Sequence, residues 1–132
     1  KKNDYLRHRF TKKYFKYFHK KKIPILGICY GAQFVADLFN STFIKKKKVG
    51  NHSIILNKNN FINFKNKKIY NNSFKNILIK KVPHFFDVIA KSKDNYIEAF
   101  YIKKINFLGL QWHPERNKKL NRFDINLLKK LI

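Results

Sequence analysis

The sequence predicts an α/β fold, because a helix, a buried strand, a second helix and several further strands follow one another along the chain. Residues 5–20 place apolar side chains three and four positions apart, which predicts an amphipathic helix. Residues 23–28, IPILGI, form a short and almost wholly apolar run, typical of a parallel strand covered on both faces. Residues 32–40, AQFVADLFN, predict a second helix. This order favours α/β over an all-α or all-β architecture.

The remainder of the chain is predicted to be rich in strands and to end in a helix. Short strands between Lys-rich and Asn-rich loops are expected at residues 52–57, 68–72, 86–92, 96–102 and 106–112. The closing segment, residues 121–132, places four apolar side chains on one side of a helix: Phe123, Leu127, Leu128 and Leu131. No linker and no internal repeat is visible, so we expect residues 1–132 to form a single domain.

The composition limits the kinds of partner that this protein is expected to bind. The formal net charge of +24 is compatible with nucleic-acid binding, but the lysines are spread over every segment and arginines are few. We therefore expect a solvated basic surface and no specific nucleic-acid partner. The single cysteine excludes an internal disulfide and fits a reducing compartment, so we expect a cytoplasmic protein. No apolar run approaches the roughly 20 residues that span a bilayer, and we expect no membrane partner.

The stretch ILGICYGAQ surrounds the only cysteine with two of the four glycines in the chain. A buried strand, a G-x-C-x-G turn and a helix predict a nucleophile elbow, whose better-known form carries serine. The tight turn would bring Gly27 and Gly31 together, so that a side chain at either position would clash. The helix N-terminus would favour the thiolate of Cys29. The Tyr30 N–H would point to where an oxyanion forms.

A second motif, GLQWHPER, supplies a candidate base. Of the five histidines, His113 alone directly follows an apolar strand with a nearby carboxylate, whereas His52 and His84 have no obvious acidic partner. Pro114 disfavours helical geometry at His113. Because side chains at i and i+2 of an extended chain project to the same side, Glu115 would face the same way as His113. A carboxylate in that place would orient the imidazole as the third member of a catalytic triad.

On the basis of these two motifs, the sequence resembles the class I, or triad-type, glutamine amidotransferases. PILGICYGAQ is similar to their cysteine elbow and WHPE to their His-x-Glu motif. Within that family, QWHPER, SKDNYIEAF and NNSF resemble the γ-glutamyl hydrolase branch, the C26 peptidase group. The resemblance covers roughly residues 5–117. It implies a flavodoxin-like fold of three layers, in which helices flank a mostly parallel sheet.

The resemblance also implies roles for individual residues. Cys29 would be the nucleophile, His113 the base and Glu115 its orienting partner, while Gln33 would contact the bound γ-glutamyl group. Three residues would line the pocket near the α-amino and α-carboxylate groups of the substrate: Asn72, Ser73 and Phe74. The next residue departs from the branch, which usually has histidine where this chain has Lys75.

A larger departure concerns the N-terminus. Family members begin with a strand and a Gly-Gly loop that donates an oxyanion N–H, and nothing before Ile23 resembles them. Position 1 is lysine, not methionine. We therefore expect the N-terminal portion to be absent from this chain, which would leave the Tyr30 N–H as the obvious oxyanion donor.

These features predict hydrolysis of glutamine or a γ-glutamyl compound through a γ-glutamyl thioester, with release of glutamate and ammonia or an amine. No metal or cofactor is expected, because no residues have metal-ligand spacing and no Gly-rich phosphate loop is present. One alternative is a glutaminase subunit that supplies ammonia to a separate synthase. Another is an inactive remnant or a basic nucleic-acid-binding module. A homo-oligomer also stays open.

Overall fold

Six β-strands and three α-helices make up the part of the chain that the computed structural model describes, residues 2–59, 61–64 and 68–132. The helices are α1 (Lys2–Lys20), α2 (Tyr30–Leu38) and α3 (Arg122–Leu131). The strands are β1 (Ile25–Ile28), β2 (Thr42–Leu56), β3 (Lys68–Lys81), β4 (Asp87–Ser92), β5 (Ile97–Ile102) and β6 (Phe107–Leu110). Short 3-10 turns follow β5 at Lys103–Ile105 and precede α3 at Pro114–Arg116. Residues 1, 60 and 65–67 lie outside the described part.

The strands form one sheet in the order β1-β6-β5-β3-β2-β4, and β4 also pairs with β5. Four of the strands, β5, β3, β2 and β4, therefore close into a barrel-like ring, with β6 and β1 continuing from β5. Strand β1 runs parallel to β6, and the other described pairs are antiparallel.

The α/β class is confirmed, but the predicted mostly parallel sheet is wrong for the described pairings. The cause is the length of the connections, because a parallel crossover needs a dozen or more residues. The connections after β3, β4 and β5 span only residues 82–86, 93–96 and 103–106. Strand β1 has a parallel partner because the whole β2–β5 region intervenes before β6.

Strands β2 and β3 are longer than predicted and pair along most of their length. The predicted strands at residues 52–57 and 68–72 cover only part of this ladder, and the lysine run 45–48 lies outside them. In the structure these lysines lie in β2, at a shift of register opposite β3. Lys45, Lys46 and Lys47 are all exposed there. Because consecutive side chains of a regular strand point to opposite faces, three exposed in a row agree with the irregular pairing at this point.

The core has two apolar clusters on opposite faces of the central strands. Strand β6 contributes Phe107 to one cluster and Leu108 to the other, because successive side chains point to opposite faces. Helix α2 packs in the first cluster through Phe34 and Val35, and α3 packs in the second through Phe123. Strand β6 is thus held between helices, and its parallel partner β1 adds Ile25 to the first cluster and Leu26 to the second. None of the described helices is both long and apolar enough to cross a membrane.

Candidate active site

Cys29 lies in a strained turn between β1 and α2. Its φ of 47° falls in the left-handed region, which L-residues other than glycine seldom adopt. The backbone is held on both sides, because the Cys29 N–H donates to Leu110 O at 2.7 Å and Cys29 O accepts from the Gln33 N–H at 3.0 Å. The predicted strand–turn–helix geometry is therefore present around this cysteine.

The two glycines of the motif have different surroundings. A Cβ atom at Gly27 would lie 2.9 Å from the backbone at both Gly31 and Ala32, and would overlap the Phe107 ring. A Cβ at Gly31 would have nothing within 4 Å. The expectation that both positions exclude a side chain is thus correct for Gly27 and wrong for Gly31, because the crowded space lies on the strand side of the turn.

His113 and Glu115 form the predicted pair, but the predicted extended geometry is wrong, because Pro114–Arg116 forms a 3-10 turn that brings the two side chains together. Nδ1 of His113 lies 2.7 Å from Oε1 of Glu115, and the Glu115 side chain is half exposed. His113 is 9% exposed, and among the described residues its buried Nε2 has no hydrogen-bond partner. A carboxylate on Nδ1 favours the tautomer with its proton there and leaves Nε2 able to accept one.

Asn72 holds the backbone of His113 in place. The His113 N–H donates to Asn72 Oδ1 at 2.9 Å, and Asn72 Nδ2 donates to His113 O at 2.8 Å and to Asn117 Oδ1 at 2.9 Å. Asn72 is buried, so losing this amide would leave the His113 N–H in the interior without this partner, whereas His113 O also accepts from the Arg116 N–H at 3.1 Å. The structure thus gives Asn72 a positioning contact, while the substrate contact stays a prediction.

The parallel pair β1–β6 brings the two motifs to one edge of the sheet. Ile28 is opposite Leu110, so Cys29 and His113 both follow the carboxyl ends of neighbouring parallel strands. No hydrogen bond joins the imidazole to the thiol across the described residues, since Nε2 has no such partner there. The structure therefore places both groups at the same edge without joining them directly.

The surroundings of the Cys29 sulfur act on its ionisation in both directions. Burial raises the pKa of the thiol, whereas Lys75, the Tyr30 N–H and Arg116 act to lower it, and Glu115 acts to raise it. The net pKa lies above the ordinary value. The expectation that the helix N-terminus leaves Cys29 as a thiolate is not met, because burial outweighs the groups that favour the anion.

A cleft of about 630 Å³ opens beside the elbow. Cys29, Tyr30 and Gln33 line it from the turn and α2, together with residues of α1 and of the β2–β3 hairpin. The Arg7 guanidinium of α1 stacks over the Tyr30 ring, 4.0 Å from its centroid. Gln33 Nε2 donates to Ile77 O at 3.1 Å and to Gln111 Oε1 at 3.2 Å.

The other predicted site residues are not among those that line this cleft. Ser73 is fully buried, and its Oγ has no hydrogen-bond partner within the described structure. Phe74 is partly exposed, with its ring 6.0 Å from that of His113 and the Arg116 guanidinium 4.6 Å above it. Phe74 therefore lies on the His113 side of the site.

A buried ionic cluster next to the site was not predicted. Glu98 in β5 is fully buried, and its carboxylate pairs with Lys75 Nζ, with His52 Nε2 at 3.2 Å and with Lys48 Nζ at 3.6 Å. Burial raises the pKa of Glu98, but the His52 hydrogen bond and the Lys75 charge outweigh it, so the pKa is below its ordinary value. His52 thus has the acidic partner that its sequence neighbours lack. The available signal was a lone glutamate within the apolar segment YIEAFYI.

Known proteins of similar sequence and structure show the family of this chain. The family model for glutamine amidotransferase class-I matches residues 6–131. Over 107 residues the chain is 39% identical to the gamma-glutamyl-CDP-amidate hydrolase of Campylobacter jejuni, covering 80% of this chain and 50% of that protein. Over 146 residues it is 30% identical to the glutamine-hydrolyzing GMP synthase of Plasmodium falciparum, covering 83% of this chain and 26% of that protein.

A solved structure from the same group of proteins is also similar to this chain. The crystal structure of a GMP synthase subunit protein from Thermoplasma acidophilum superposes with a TM-score of 0.75 at 25% identity, covering 92% of this chain and 61% of that one. The chain belongs to the class-I glutamine amidotransferase family. Its relatives include both a γ-glutamyl amide hydrolase and glutamine-hydrolysing synthases. The chain spans half the length of the hydrolase and about a quarter of the synthase.

Proposed function

We propose that this protein hydrolyses the side-chain amide of glutamine or of a γ-glutamyl compound through a thioester on Cys29. The observation that carries the proposal is the position of Cys29 in a strained elbow, at the sheet edge where the His113–Glu115 pair also lies. In this scheme His113 is the base, Glu115 orients it and no metal takes part. Assignment to the peptidase C26 branch is part of the same proposal, and it is supported by the resemblance of QWHPER to that branch.

The first half of the reaction forms the thioester. His113 Nε2 accepts the proton of the Cys29 thiol, which the raised thiol pKa makes necessary. The sulfur attacks the δ-carbonyl carbon, and the carbonyl electron pair moves to oxygen. The Tyr30 N–H, which faces the sulfur, donates to this oxyanion. When the intermediate collapses, the C–N bond breaks and imidazolium protonates the departing ammonia or amine.

The second half releases glutamate. His113 takes a proton from water, the resulting hydroxide attacks the thioester carbonyl, and the C–S bond breaks with return of the proton to sulfur. Glu115 stabilises the imidazolium in both halves. Gln33, Ser73 and Phe74 are proposed to contact the γ-glutamyl group, and Asn72 holds the backbone of the base in addition to any substrate contact.

A second function, ammonia supply to a synthase, is favoured by the GMP synthase relatives. The chemistry on Cys29 would be the same, and the ammonia would pass to a partner protein in place of solvent. The two functions differ in whether glutamate release depends on the partner. Activity of the isolated protein on γ-glutamyl amides favours the hydrolase, and glutaminase activity that rises when a synthase is added favours the synthase-linked role.

The test is glutamate release from glutamine and from a γ-glutamyl amide, together with intact-mass detection of the acyl-enzyme. We expect turnover and a γ-glutamyl adduct with the native protein, and neither with Cys29→Ala. His113→Ala should retain the thiol and lose turnover. Absence of both turnover and adduct, with and without a synthase partner, would overturn the proposed function.

A further inference from the structure

The Glu98 cluster, made of Glu98, Lys75, His52 and Lys48, places a charged pair in the interior of the protein. Lys75 is 4% exposed and Glu98 is fully buried, and their side chains pair directly. Removing two charges from water costs several kcal/mol per ion, and apolar residues of similar volume often stabilise a core equally well. The pair is therefore hard to explain by stability alone, and its position offers another explanation.

Lys75 lies on a segment of β3 that is tied to both halves of the active site. Three residues before it, Asn72 bonds the backbone of His113. Two residues after it, Ile77 O accepts from the side chain of Gln33, whose N–H closes the first turn of α2 on Cys29 O. The segment between these two anchors spans the space between the candidate nucleophile and the candidate base.

Glu98 is connected to the same framework from β5. Its backbone oxygen accepts from the Gln111 N–H at 2.8 Å, and the Gln111 side chain accepts from Gln33 Nε2. Gln111 is fully buried and lies two residues before His113. Both members of the ion pair are thus fixed to elements that hold the active-site residues.

We propose that Lys75 is a positioning residue whose ammonium, held in place by Glu98, stabilises the thiolate of Cys29. The proposal rests on the function proposed above, because it assigns the cation to the nucleophile of that reaction. Lys75 is buried and paired, so it acts on the sulfur through its charge and does not need to contact the substrate. Lys75 lies at the position where the γ-glutamyl hydrolase branch, which the sequence resembles, usually has histidine. It provides a fixed cation at that position.

The electrostatics of the site agree with this assignment. After burial, which raises the pKa of the Cys29 thiol, Lys75 has the largest influence, and it lowers that pKa. Arg116 also lowers the thiol pKa, and Glu115 raises it. Burial lowers the pKa of Lys75 itself, while Glu98 opposes the shift and Lys48 adds to it. Glu98 therefore favours the charged form of Lys75, and the His52 hydrogen bond favours the ionised form of Glu98.

The test is the rate of alkylation of Cys29 by iodoacetamide as a function of pH. In Lys75→Met the midpoint of the profile should rise by about one pH unit, with about tenfold slower alkylation below it. Lys75→Arg retains the charge and should restore most of the native profile. Lys47→Met removes the same charge from an exposed position of β2 and should leave the profile unchanged.

A double variant keeps the test valid if Glu98, deprived of its Lys75 partner in Lys75→Met, causes the protein to unfold. Lys75→Met with Glu98→Gln removes both buried charges, and its midpoint should also rise. Folding of each variant is checked by its thermal unfolding. Coincident profiles for the native protein and a folded variant lacking the Lys75 charge would overturn the inference.

Alkylation requires no amide turnover, so the two proposals fail separately. A protein without hydrolase activity whose thiol midpoint rises in Lys75→Met would overturn the function and support the role of Lys75. An active enzyme whose profile does not respond to Lys75→Met would overturn the role of Lys75 alone.

Discussion

At the scale of the residue, the candidate base is fixed more firmly than the nucleophile is activated. His113 has its side chain held by Glu115 and its backbone held twice by Asn72. Cys29 has a fixed backbone, but burial keeps its thiol pKa high. Catalysis by this pair would therefore depend on proton transfer to His113, with Lys75 reducing the free energy needed to form the anion.

Glu115→Gln should lower kcat with little change in KM, because the carboxylate matters most when the imidazolium forms. Since Glu115 is half exposed, we expect kcat to fall by about 100-fold or less, which is the lower end of the rate contribution of general acid–base catalysis. The loss should be smaller than for Cys29→Ala. Steady-state hydrolysis of a γ-glutamyl amide measures it. Unchanged kcat would remove Glu115 from the triad and leave the Cys29–His113 pair.

At the scale of the element, the β1–α2 turn depends on a close approach between the end of the strand and the start of the helix. Gly27 faces the backbone of Gly31 and Ala32 and the Phe107 ring of β6. Phe107 packs in the core cluster that α2 completes. The position of the nucleophile is thus coupled to the packing of β1, β6 and α2 around one small residue.

Gly27→Ala should destabilise the fold by about 1–3 kcal/mol, because the added methyl group must displace backbone or the Phe107 ring. It should also reduce activity by moving Cys29. Gly31→Ala is the matched control: its methyl group would meet nothing within 4 Å, and alanine has the higher helix propensity. Urea unfolding of both variants measures the difference. Equal free energies of unfolding for the two variants would contradict the role assigned to Gly27.

Helix α3 is joined to the segment that carries His113 through a buried carboxyl group. Asp124 is 1% exposed and accepts from Trp112 Nε1–H at 2.9 Å. Burial raises the pKa of Asp124 to about 6, although the Trp112 hydrogen bond acts to lower it. Between about pH 4 and about 6, the unfolded chain loses a proton that the folded chain keeps. The free energy of unfolding therefore falls as the pH rises through this window.

Asp124→Asn retains an acceptor for Trp112 and removes this titration. The free energy of unfolding of the variant, relative to the native protein, should increase from about pH 4 to about 6 by at most about 1.4 kcal/mol per pH unit. Below about pH 4 and above about pH 6 the difference should be constant. Urea unfolding at closely spaced pH values tests it, and a difference that does not vary with pH would show that Asp124 ionises equally in both states.

At the scale of the whole molecule, the features with a local signature are the ones that the sequence predicts. The three helices, β1 and the Cys29 and His113–Glu115 motifs each depend on neighbouring residues. The long β2–β3 ladder was missed because its lysine run is stabilised as a strand by pairing with β3, not by local propensity. The Asn72–His113 and Lys75–Glu98 contacts join residues 41 and 23 positions apart, and no spacing rule connects them.

The charge of +24 should give only weak nucleic-acid binding. Lys46 and Lys48 pair with Asp94, and the Arg7 guanidinium is stacked over Tyr30, so these cations are already engaged. We expect dissociation constants of about 10⁻⁴–10⁻⁶ M at physiological salt, with no preference for sequence and steep weakening as salt rises. Fluorescence anisotropy with duplex and single-stranded oligonucleotides measures this. Nanomolar, sequence-selective binding would point to a dedicated nucleic-acid site.

The β1–β6 pairing also has a consequence for how the protein folds. The two strands are about 80 residues apart in sequence, and contacts between residues so far apart form slowly. The antiparallel region between them can form most of its contacts first, through shorter loop closures. The turn at Cys29 and the end of β6 meet only when this last pairing closes. A partly folded chain would thus hold a thiol of ordinary pKa, whereas burial raises that pKa in the native protein. A fall in the reactivity of Cys29 toward an electrophile during refolding would therefore report completion of the native topology.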